Sequence, residues 1–139
     1  MVALRVASAV LFGLVGVVAL TMAWRALTAK SLLPFHQAAA GRPWTELSPG
    51  EKSVATALTR ALGLGFLTAG LALLTAGVTA LAHQSDATYA LAAIALVFCS
   101  GLAVINRRLQ RDTSIGTPWK GSLYAAVAIV VAVGLYGIA

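Results

Sequence analysis

The sequence predicts an all-α membrane protein, an antiparallel bundle of four transmembrane helices with both termini on the non-cytoplasmic side. Three observations support this class. The chain of 139 residues is 60% hydrophobic, above the roughly 45–50% of ordinary soluble domains. Four apolar runs contain no charged residue and no histidine. The basic residues gather between alternate runs, so they mark one side of the predicted bundle.

The four apolar runs cover residues 6–24, 61–82, 87–105 and 121–139. At about 1.5 Å per residue, each run reaches roughly across the 30 Å hydrocarbon core of a bilayer. Short connections between neighbouring runs favour up-down-up-down order. With flanking residues included, we expect a single domain over residues 1–139, with spans at about 4–27, 53–82, 86–107 and 118–139.

The basic residues determine the predicted orientation. Nine of the ten Lys and Arg residues lie in the connections 25–60 and 106–120, and Arg5 lies on the opposite side. Because cytoplasmic loops are enriched in Lys and Arg, the side with these connections is expected to be cytoplasmic. Its cations are expected to meet anionic lipid headgroups, so the net charge of +6 does not indicate a nucleic-acid partner.

The cytoplasmic connection, at about 28–48, is predicted to lie in the membrane interface. Its stretch 31–36 is too apolar for a free loop. Pro34 suits the first position of a helix, and Gly41 suits the position just past a helix end. We therefore expect a short interfacial helix between these two residues.

Helix starts are predicted at two further points. Ser48 and Glu51 have the spacing of a capping box, and Pro49 suits the first helical position, so the helix of the second span is expected to begin there. Thr117 before Pro118 follows the same logic, with Thr117 as the N-cap of the fourth span.

Small residues recur along the predicted spans at the spacing of closely packed helices. Lipid tails are as apolar as leucine, so membrane helices associate through close contact of small residues rather than through hydrophobicity. Steps of three and four residues select the predicted helix-packing residues Gly65, Thr68, Ala72, Thr75, Thr79, Ala95 and Cys99. Cys99, the only cysteine, is interpreted as a small hydrophobe. The threonines are also compatible with a polar path across the membrane.

The sequence carries no motif that identifies an enzyme. The apolar runs hold none of the ionisable groups that proton-coupled transporters need, and no nucleophile, metalloprotease or nucleotide-binding motif occurs. His36 and His83 are predicted on opposite sides, so they cannot share a metal ion or a haem within one chain. We therefore expect no catalytic residue, no metal and no cofactor; an enzyme that uses His36 is the weakest alternative.

One set of polar residues is predicted to meet at the cytoplasmic rim. These candidate ligand or lipid residues are His36, Trp44, Glu46, Arg107, Arg108, Asp112 and Trp119, with Asn106 beside them. One interpretation is a collar at headgroup level, with ion pairs from Glu46 or Asp112 to nearby arginines. The other is a site for an anionic headgroup or small anion, bound by paired arginines and covered by the apolar connection.

Two stretches carry a resemblance to a known group of proteins. LPFHQAAAGRPWTEL at residues 33–47 places an aromatic residue and a histidine before Trp-x-Glu-Leu, and SIGTPW at 114–119 lies between the last two spans. Both resemble small uncharacterised bacterial four-helix integral membrane proteins. The resemblance implies a four-helix protein of the bacterial inner membrane with no known reaction, and it assigns no role to any residue.

Two functions are compatible with these features. The first is an accessory or scaffold subunit that acts through helix–helix contacts, in a homo-oligomer or a larger membrane complex. The alternative is a binder or carrier of a lipid or small anion at the cytoplasmic rim. In both cases membrane lipids are expected partners and nucleic acid is not.

Overall fold

A computed structural model of the protein describes residues 1–82 and 85–139. Within these residues there is no strand. Four of the helices are long and apolar enough to cross a membrane, which confirms the all-helical class and supports a membrane protein. The elements in chain order are α1 (Val2–Leu27), α2 (Pro34–Ala40), a 3-10 turn (Trp44–Glu46), α3 (Pro49–Ala82), α4 (Asp86–Thr113) and α5 (Trp119–Gly137).

The capping box predicted at the start of α3 is confirmed. The side-chain oxygen of Ser48 accepts a hydrogen bond from the backbone N–H of Glu51 at 3.3 Å, and a carboxylate oxygen of Glu51 accepts one from the N–H of Ser48 at 2.8 Å. The other carboxylate oxygen of Glu51 lies 2.6 Å from the guanidinium of Arg42. The connection from α2 is thereby attached to the first turn of α3.

The short helix in the first connection is also confirmed. α2 begins at Pro34, and Gly41 ends it with a φ of 66°, in the left-handed region that glycine enters without a steric cost. No residue of α2 is fully buried, so this helix rests on the bundle rather than inside it.

The predicted N-cap at Thr117 is wrong. α5 begins at Trp119 with Pro118 as its N-cap. The hydroxyl of Thr117 instead donates to the backbone carbonyl of Asn106 on α4, at 2.8 Å, and the backbone N–H of Thr117 donates to the side chain of Gln110. Asn106 lies seven residues before the end of α4, so this bond adds a second partner to a carbonyl inside the helix and attaches the α4–α5 connection to α4.

The four long helices form a ring of neighbours. α1 packs against α3 and α5, and α4 packs against the same two helices. Buried residues from all four helices form the core, among them Phe12, Leu73, Ala95 and Ile129. We call the end of the ring that carries α2 and the α4–α5 connection the basic end.

Glycine brings α1 and α3 into backbone contact. A Cβ atom built on Gly70 would lie 3.1 Å from the carbonyl oxygen of Gly16, and one built on Gly16 would lie 3.2 Å from the carbonyl oxygen of Gly70. The Gly70 position would also bring that Cβ to 2.8 Å from the side chain of Leu20. No side chain fits between the two backbones at this level.

The same glycine face continues along α3. A Cβ on Gly77 would lie 3.2 Å from the carbonyl oxygen of Ala9, and one on Gly63 would lie 2.9 Å from the side chain of Leu27. The three glycines of this face are spaced seven residues apart: Gly63, Gly70 and Gly77. Seven residues is the repeat of helices that pack along a common seam.

Part of the predicted packing face of α3 is not buried within the chain. Thr68 and Thr75 are exposed. Each lies two residues from a glycine of the buried face, which is about 160° around a helix of 3.6 residues per turn. Because the glycines allow the closer approach, they face inward and these threonines face outward. The predicted packing residues that are buried or half-buried are Gly65, Ala72, Thr79, Ala95 and Cys99.

Substitution of Gly70 by alanine is expected to lower the stability of the bundle by about 1–3 kcal/mol, because the new methyl group overpacks the α1–α3 contact. The measurement is the unfolding free energy in detergent, by titration with a denaturing surfactant. Gly101→Ala is the matched control: no heavy atom lies within 4 Å of a Cβ built there. That variant should be stabilised by roughly 0.5–1 kcal/mol. Equal responses at the two positions would contradict the close contact.

Candidate functional site

A cavity of about 380 Å³ lies at the basic end, between all four long helices and the α2 segment. Small-molecule sites commonly measure roughly 300–1,000 Å³. No Asp, Glu, Lys or Arg side chain lines the cavity, and most of its wall is aliphatic or aromatic. It therefore has the size and the wall of a site for a lipophilic molecule.

The cavity extends along the bundle axis. On α1 it is lined from Val15 to Met22, and on α4 from Phe98 to Asn106. Seven or eight residues of helix correspond to about 10–12 Å. The inner end of the cavity, at Phe98, is therefore about two helical turns from Asn106, which meets the α4–α5 connection.

Two phenylalanines form part of the inner wall. Phe66 of α3 and Phe98 of α4 make an edge-to-face contact, with ring centroids 5.1 Å apart. Phe98 lies against Gly65, where a Cβ atom would come within 2.5 Å of its ring. Gly65 thus makes room for the ring, as its place on the predicted packing face suggests.

Four polar side chains interrupt the apolar wall: His36, Cys99, Asn106 and Ser122. Asn106 is only 5% exposed, yet its side-chain amide makes no hydrogen bond to any residue in the described part of the chain. Buried polar groups are nearly always paired. The amide of Asn106 is unpaired but not fully enclosed: among the described residues, the fully buried side-chain N or O atom without a partner is Nε of Arg5 on α1.

His36 closes the cavity from the α2 side. Its ring packs on that of Phe35, with centroids 4.0 Å apart, and it is half-buried. Burial removes the imidazolium from water, which lowers the pKa of His36 below the usual 6.5. The ring is therefore neutral at neutral pH and offers one donor and one acceptor.

The other predicted rim residues lie outside the cavity lining. Trp119, half-buried at the start of α5, has the guanidinium of Arg107 at 5.3 Å and the ammonium of Lys120 at 6.0 Å from its ring centroid. These distances allow cation–π contacts. The remaining exposed or half-buried rim residues do not join this group: Trp44, Glu46, Arg108 and Asp112.

The ion pairs expected for Glu46 and Asp112 do not form among the described residues. The ion pair found there joins Arg42 to Glu51. Glu46 lies in the 3-10 turn and Asp112 near the end of α4, and both are exposed. Exposed carboxylates gain little from pairing because water solvates them well.

Metal binding has no support from the part of the chain that is described. No group of three or more His, Cys, Asp or Glu residues lies there in an arrangement that could hold a metal ion. His83, the second histidine, falls outside the described residues.

Several residues of the cavity were not predicted as site residues. Ser122, Phe66 and Phe98 lie inside apolar runs, where nothing in the sequence separates a cavity wall from a packed core. Asn106 was expected at the rim, but it is buried in the lining. Its position at the end of an apolar run, just before two arginines, was the available signal.

Comparison with protein-family models, with curated proteins and with solved structures finds no match to this chain in any of the three. The resemblance of residues 33–47 and 114–119 therefore stays a prediction. Function has to be inferred from the geometry of the cavity and from the exposed surfaces of the helices.

Acidification is expected to loosen α2 from the bundle. The pKa of His36 is lowered while α2 is docked, so the undocked state binds more protons in the window below pH 6.5. Docking of α2 on the bundle is therefore most favourable above pH 6.5, and it weakens as the pH falls towards the lowered pKa of His36. The first measurement is the pKa of His36 by NMR, expected below 6.5.

The second measurement is the distance between spin labels at Ala38 of α2 and Val104 of α4, both exposed, in a Cys99→Ala background. Between about pH 7.5 and pH 5, where histidine titrates, the distance should lengthen. His36→Gln cannot titrate and serves as the control, with a distance independent of pH in this range. A pH response of equal size in both proteins would contradict the role of His36.

Proposed function

We propose that the protein binds a lipophilic small molecule of the membrane in the cavity at the basic end, as a binder or carrier. The supporting observation is the cavity itself: about 380 Å³ with no charged side chain in its wall. An apolar cavity of roughly 150 Å³ accommodates a benzene-sized ligand. The volume available here is about two and a half times larger, enough for a ring and part of a chain.

Water is a poor occupant for such a space. A buried water molecule needs about two to four polar partners, and the polar side chains of the wall are few: His36, Asn106 and Ser122 towards the basic end, and the weakly polar thiol of Cys99 next to Phe98. A lipophilic molecule gains by leaving its neighbours in the bilayer only where the protein offers better contacts. Aromatic rings and hydrogen-bonding groups are such contacts.

The proposal includes the membrane topology. Ala9 lies against Gly77, while Leu27 lies against Gly63, which supports an antiparallel arrangement of α1 and α3. With the basic end in the cytoplasm, both termini lie on the non-cytoplasmic side of a bacterial inner membrane. The ligand site then faces the cytoplasmic leaflet.

The exposed cations of the basic end contact lipid headgroups in this arrangement. Arg107 and Lys120 flank the ring of Trp119, an interfacial type of residue. On α3, Lys52 and Arg60 border a shallow surface groove with Ser53 and Thr56. Anionic headgroups fit both places as solvated surface partners.

The only cysteine of the chain lines the cavity and reports its occupancy without a mutation. We expect decylbenzene, an uncharged compound without a polar head, to slow alkylation of Cys99 by N-ethylmaleimide several-fold in nanodiscs. The reason is that a molecule in the cavity blocks the path of the reagent to the thiol. The measurement is the alkylation rate by mass spectrometry at increasing decylbenzene concentration.

The control moves the thiol to the lipid-facing side of the same helix, as Ala93→Cys in a Cys99→Ala background, because Ala93 is exposed. Its alkylation rate should not change. Equal slowing at both positions would mean a general effect on the bilayer, and no slowing at Cys99 would contradict a site in the cavity.

A second candidate function is self-association, as expected of a scaffold or accessory subunit. One face of α3 is exposed and repeats with steps of three and four residues, with small and large residues in alternation: Ala61, Leu64, Thr68, Leu71, Thr75, Val78 and Ala82. This is the spacing of a helix that packs against a partner helix. Alternating sizes allow an identical face to interlock with it, so a second copy of this chain is the partner that we propose.

Copies in one membrane share one orientation, so a two-fold axis along the membrane normal brings each residue of this face near its own counterpart. Thr75→Cys, in a Cys99→Ala background, is therefore expected to form disulfide-linked dimers on mild oxidation in membranes. Val97→Cys on α4 is the matched control, because Val97 is 73% exposed but lies off this face. Dimers at both positions, or at neither, would contradict this interface.

A further inference from the structure

Asn106 differs from the other buried polar residues of the described chain. These are Ser8, Thr59, Thr88 and Asn106. The hydroxyl of Ser8 donates to the carbonyl oxygen of Ala132 at 2.8 Å, that of Thr59 donates to Ala55, and that of Thr88 pairs with Thr79. Only the amide of Asn106, among these four, bonds to no described residue.

A polar amide at an apolar wall without a hydrogen bond is destabilising to the extent that it is removed from water, and the amide atoms of Asn106 are not among the fully buried unpaired atoms of the described chain. Asn106 also belongs to the cavity wall, so a ligand in the cavity can reach its donor and acceptor atoms. Ser122 of α5, packed against α4, lines the same cavity, and no described residue accepts or donates a hydrogen bond to its hydroxyl. Two helices thus present unpaired hydrogen-bonding groups to one space.

The wall of the cavity disfavours an ionised ligand head. No Asp, Glu, Lys or Arg side chain lines it, the imidazole of His36 is neutral at neutral pH because burial lowers its pKa, and the guanidinium of Arg107 lies over the ring of Trp119. A charge without a counter-charge in an apolar site carries a large desolvation cost. The ligand head is therefore uncharged.

Given the binding function proposed above, we infer that the ligand is an amphiphile whose uncharged head carries a carbonyl or hydroxyl oxygen, bound by hydrogen bonds from Asn106 and Ser122. The head lies at the basic end, and the apolar part of the molecule extends towards Val15 and Phe98. The amide N–H of Asn106 and the hydroxyl of Ser122 can both donate, so a ketone or ester oxygen can accept from them, and an alcohol can in addition donate to their oxygens.

The test compares three compounds that share one tail and one ring. They are 4-decylacetophenone with an uncharged carbonyl, decylbenzene with no polar group, and 4-decylbenzoate with an ionised carboxylate. Binding to the delipidated full chain in nanodiscs is measured by protection of Cys99 from alkylation. We expect the ketone to bind roughly 3- to 10-fold more tightly than decylbenzene, the size of one or two neutral hydrogen bonds, and the carboxylate to bind more weakly than both.

Asn106→Leu removes the hydrogen-bonding groups and keeps a side chain of similar size. It should abolish the preference for the ketone over decylbenzene while leaving the affinity for decylbenzene unchanged within a factor of two or so. Ser122→Ala should reduce the preference in part. Val104→Ala, at an exposed position of α4, is the control and should keep it.

A second readout separates ligand recognition from a structural role. In the ligand-free protein, Asn106→Leu should raise the melting temperature, because the unpaired amide is lost. The contact from Thr117 to this position uses the backbone carbonyl, at 2.8 Å, and is kept. A lowered melting temperature would indicate that the amide supports the fold, and it would overturn the inference.

The outcomes distinguish the two levels of the proposal. If none of the three compounds protects Cys99, the cavity is not a binding site and the proposed function fails. If all three protect it equally, with or without Asn106→Leu, the binding function stands and the inference about the head fails. A preference for the carboxylate would also overturn it. Even if a variant does not fold, the selectivity of the unmodified chain among the three compounds tests the inference about the ligand head.

Discussion

The backbone contact between α1 and α3 is the constraint on which the remaining structure depends. At Gly16 and Gly70 each backbone meets the carbonyl oxygen of the other helix, and neither position has room for a larger residue. In a bilayer there is no hydrophobic gain from covering one apolar helix with another, so close approach has to provide the attraction. This contact sets the rotation of α3, which directs one of its faces outward, with Leu64, Thr68, Leu71 and Thr75 exposed. It also sets where α4 and α5 can close the ring. On another side of α3, Phe66 contacts Phe98 of α4, and the cavity extends from this pair towards the basic end.

Polar groups are treated differently at the two ends of the bundle. Away from the basic end, Ser8 bonds to α5, Thr79 bonds to Thr88, and the buried hydroxyl of Tyr136 lies 2.6 Å from the backbone nitrogen of Ser85. Each of these bonds joins two segments, so the polar groups contribute to packing. At the basic end, Asn106 is buried without such a partner. Away from the basic end, the Nε atom of Arg5 is also buried without a partner, so the pairing of interior polar groups is frequent but not complete among the described residues. In the proposed binding function, a ligand in the cavity supplies the partner that the amide of Asn106 lacks.

Local chemistry made some parts of this fold predictable and left others beyond reach. Hydropathy marked the four spans because each must be apolar along its length, and the α2 and α3 starts followed from proline and glycine preferences and from the Ser48–Glu51 pairing. The rotation of α3 about its own axis could not be predicted from the sequence. Thr68 and Gly70 both belong to regular small-residue patterns, and only the partner helix decides which pattern is used. Thr117 failed as a cap because its hydroxyl has a competing acceptor on α4, which is eleven residues away in the chain. The cavity could not be predicted for the same reason: the space lined by Phe66, Phe98 and Ser122 depends on how three helices pack together.

The weakest part of the cavity wall is also the part that faces the cytoplasm in the proposed topology. The long helices hold their positions through the shared core, whereas α2 has seven residues and none of them is fully buried. Its contribution to the wall is the short stretch of Leu33, Phe35 and His36. Segments with few buried contacts open at a low free-energy cost compared with the core. The attachment of Arg42 to Glu51 ties the end of this connection to α3, so α2 can lift while its anchor stays. In the proposed binding function, a ligand that exchanges with the interface therefore passes α2 at a lower cost than it would pass between the packed helices.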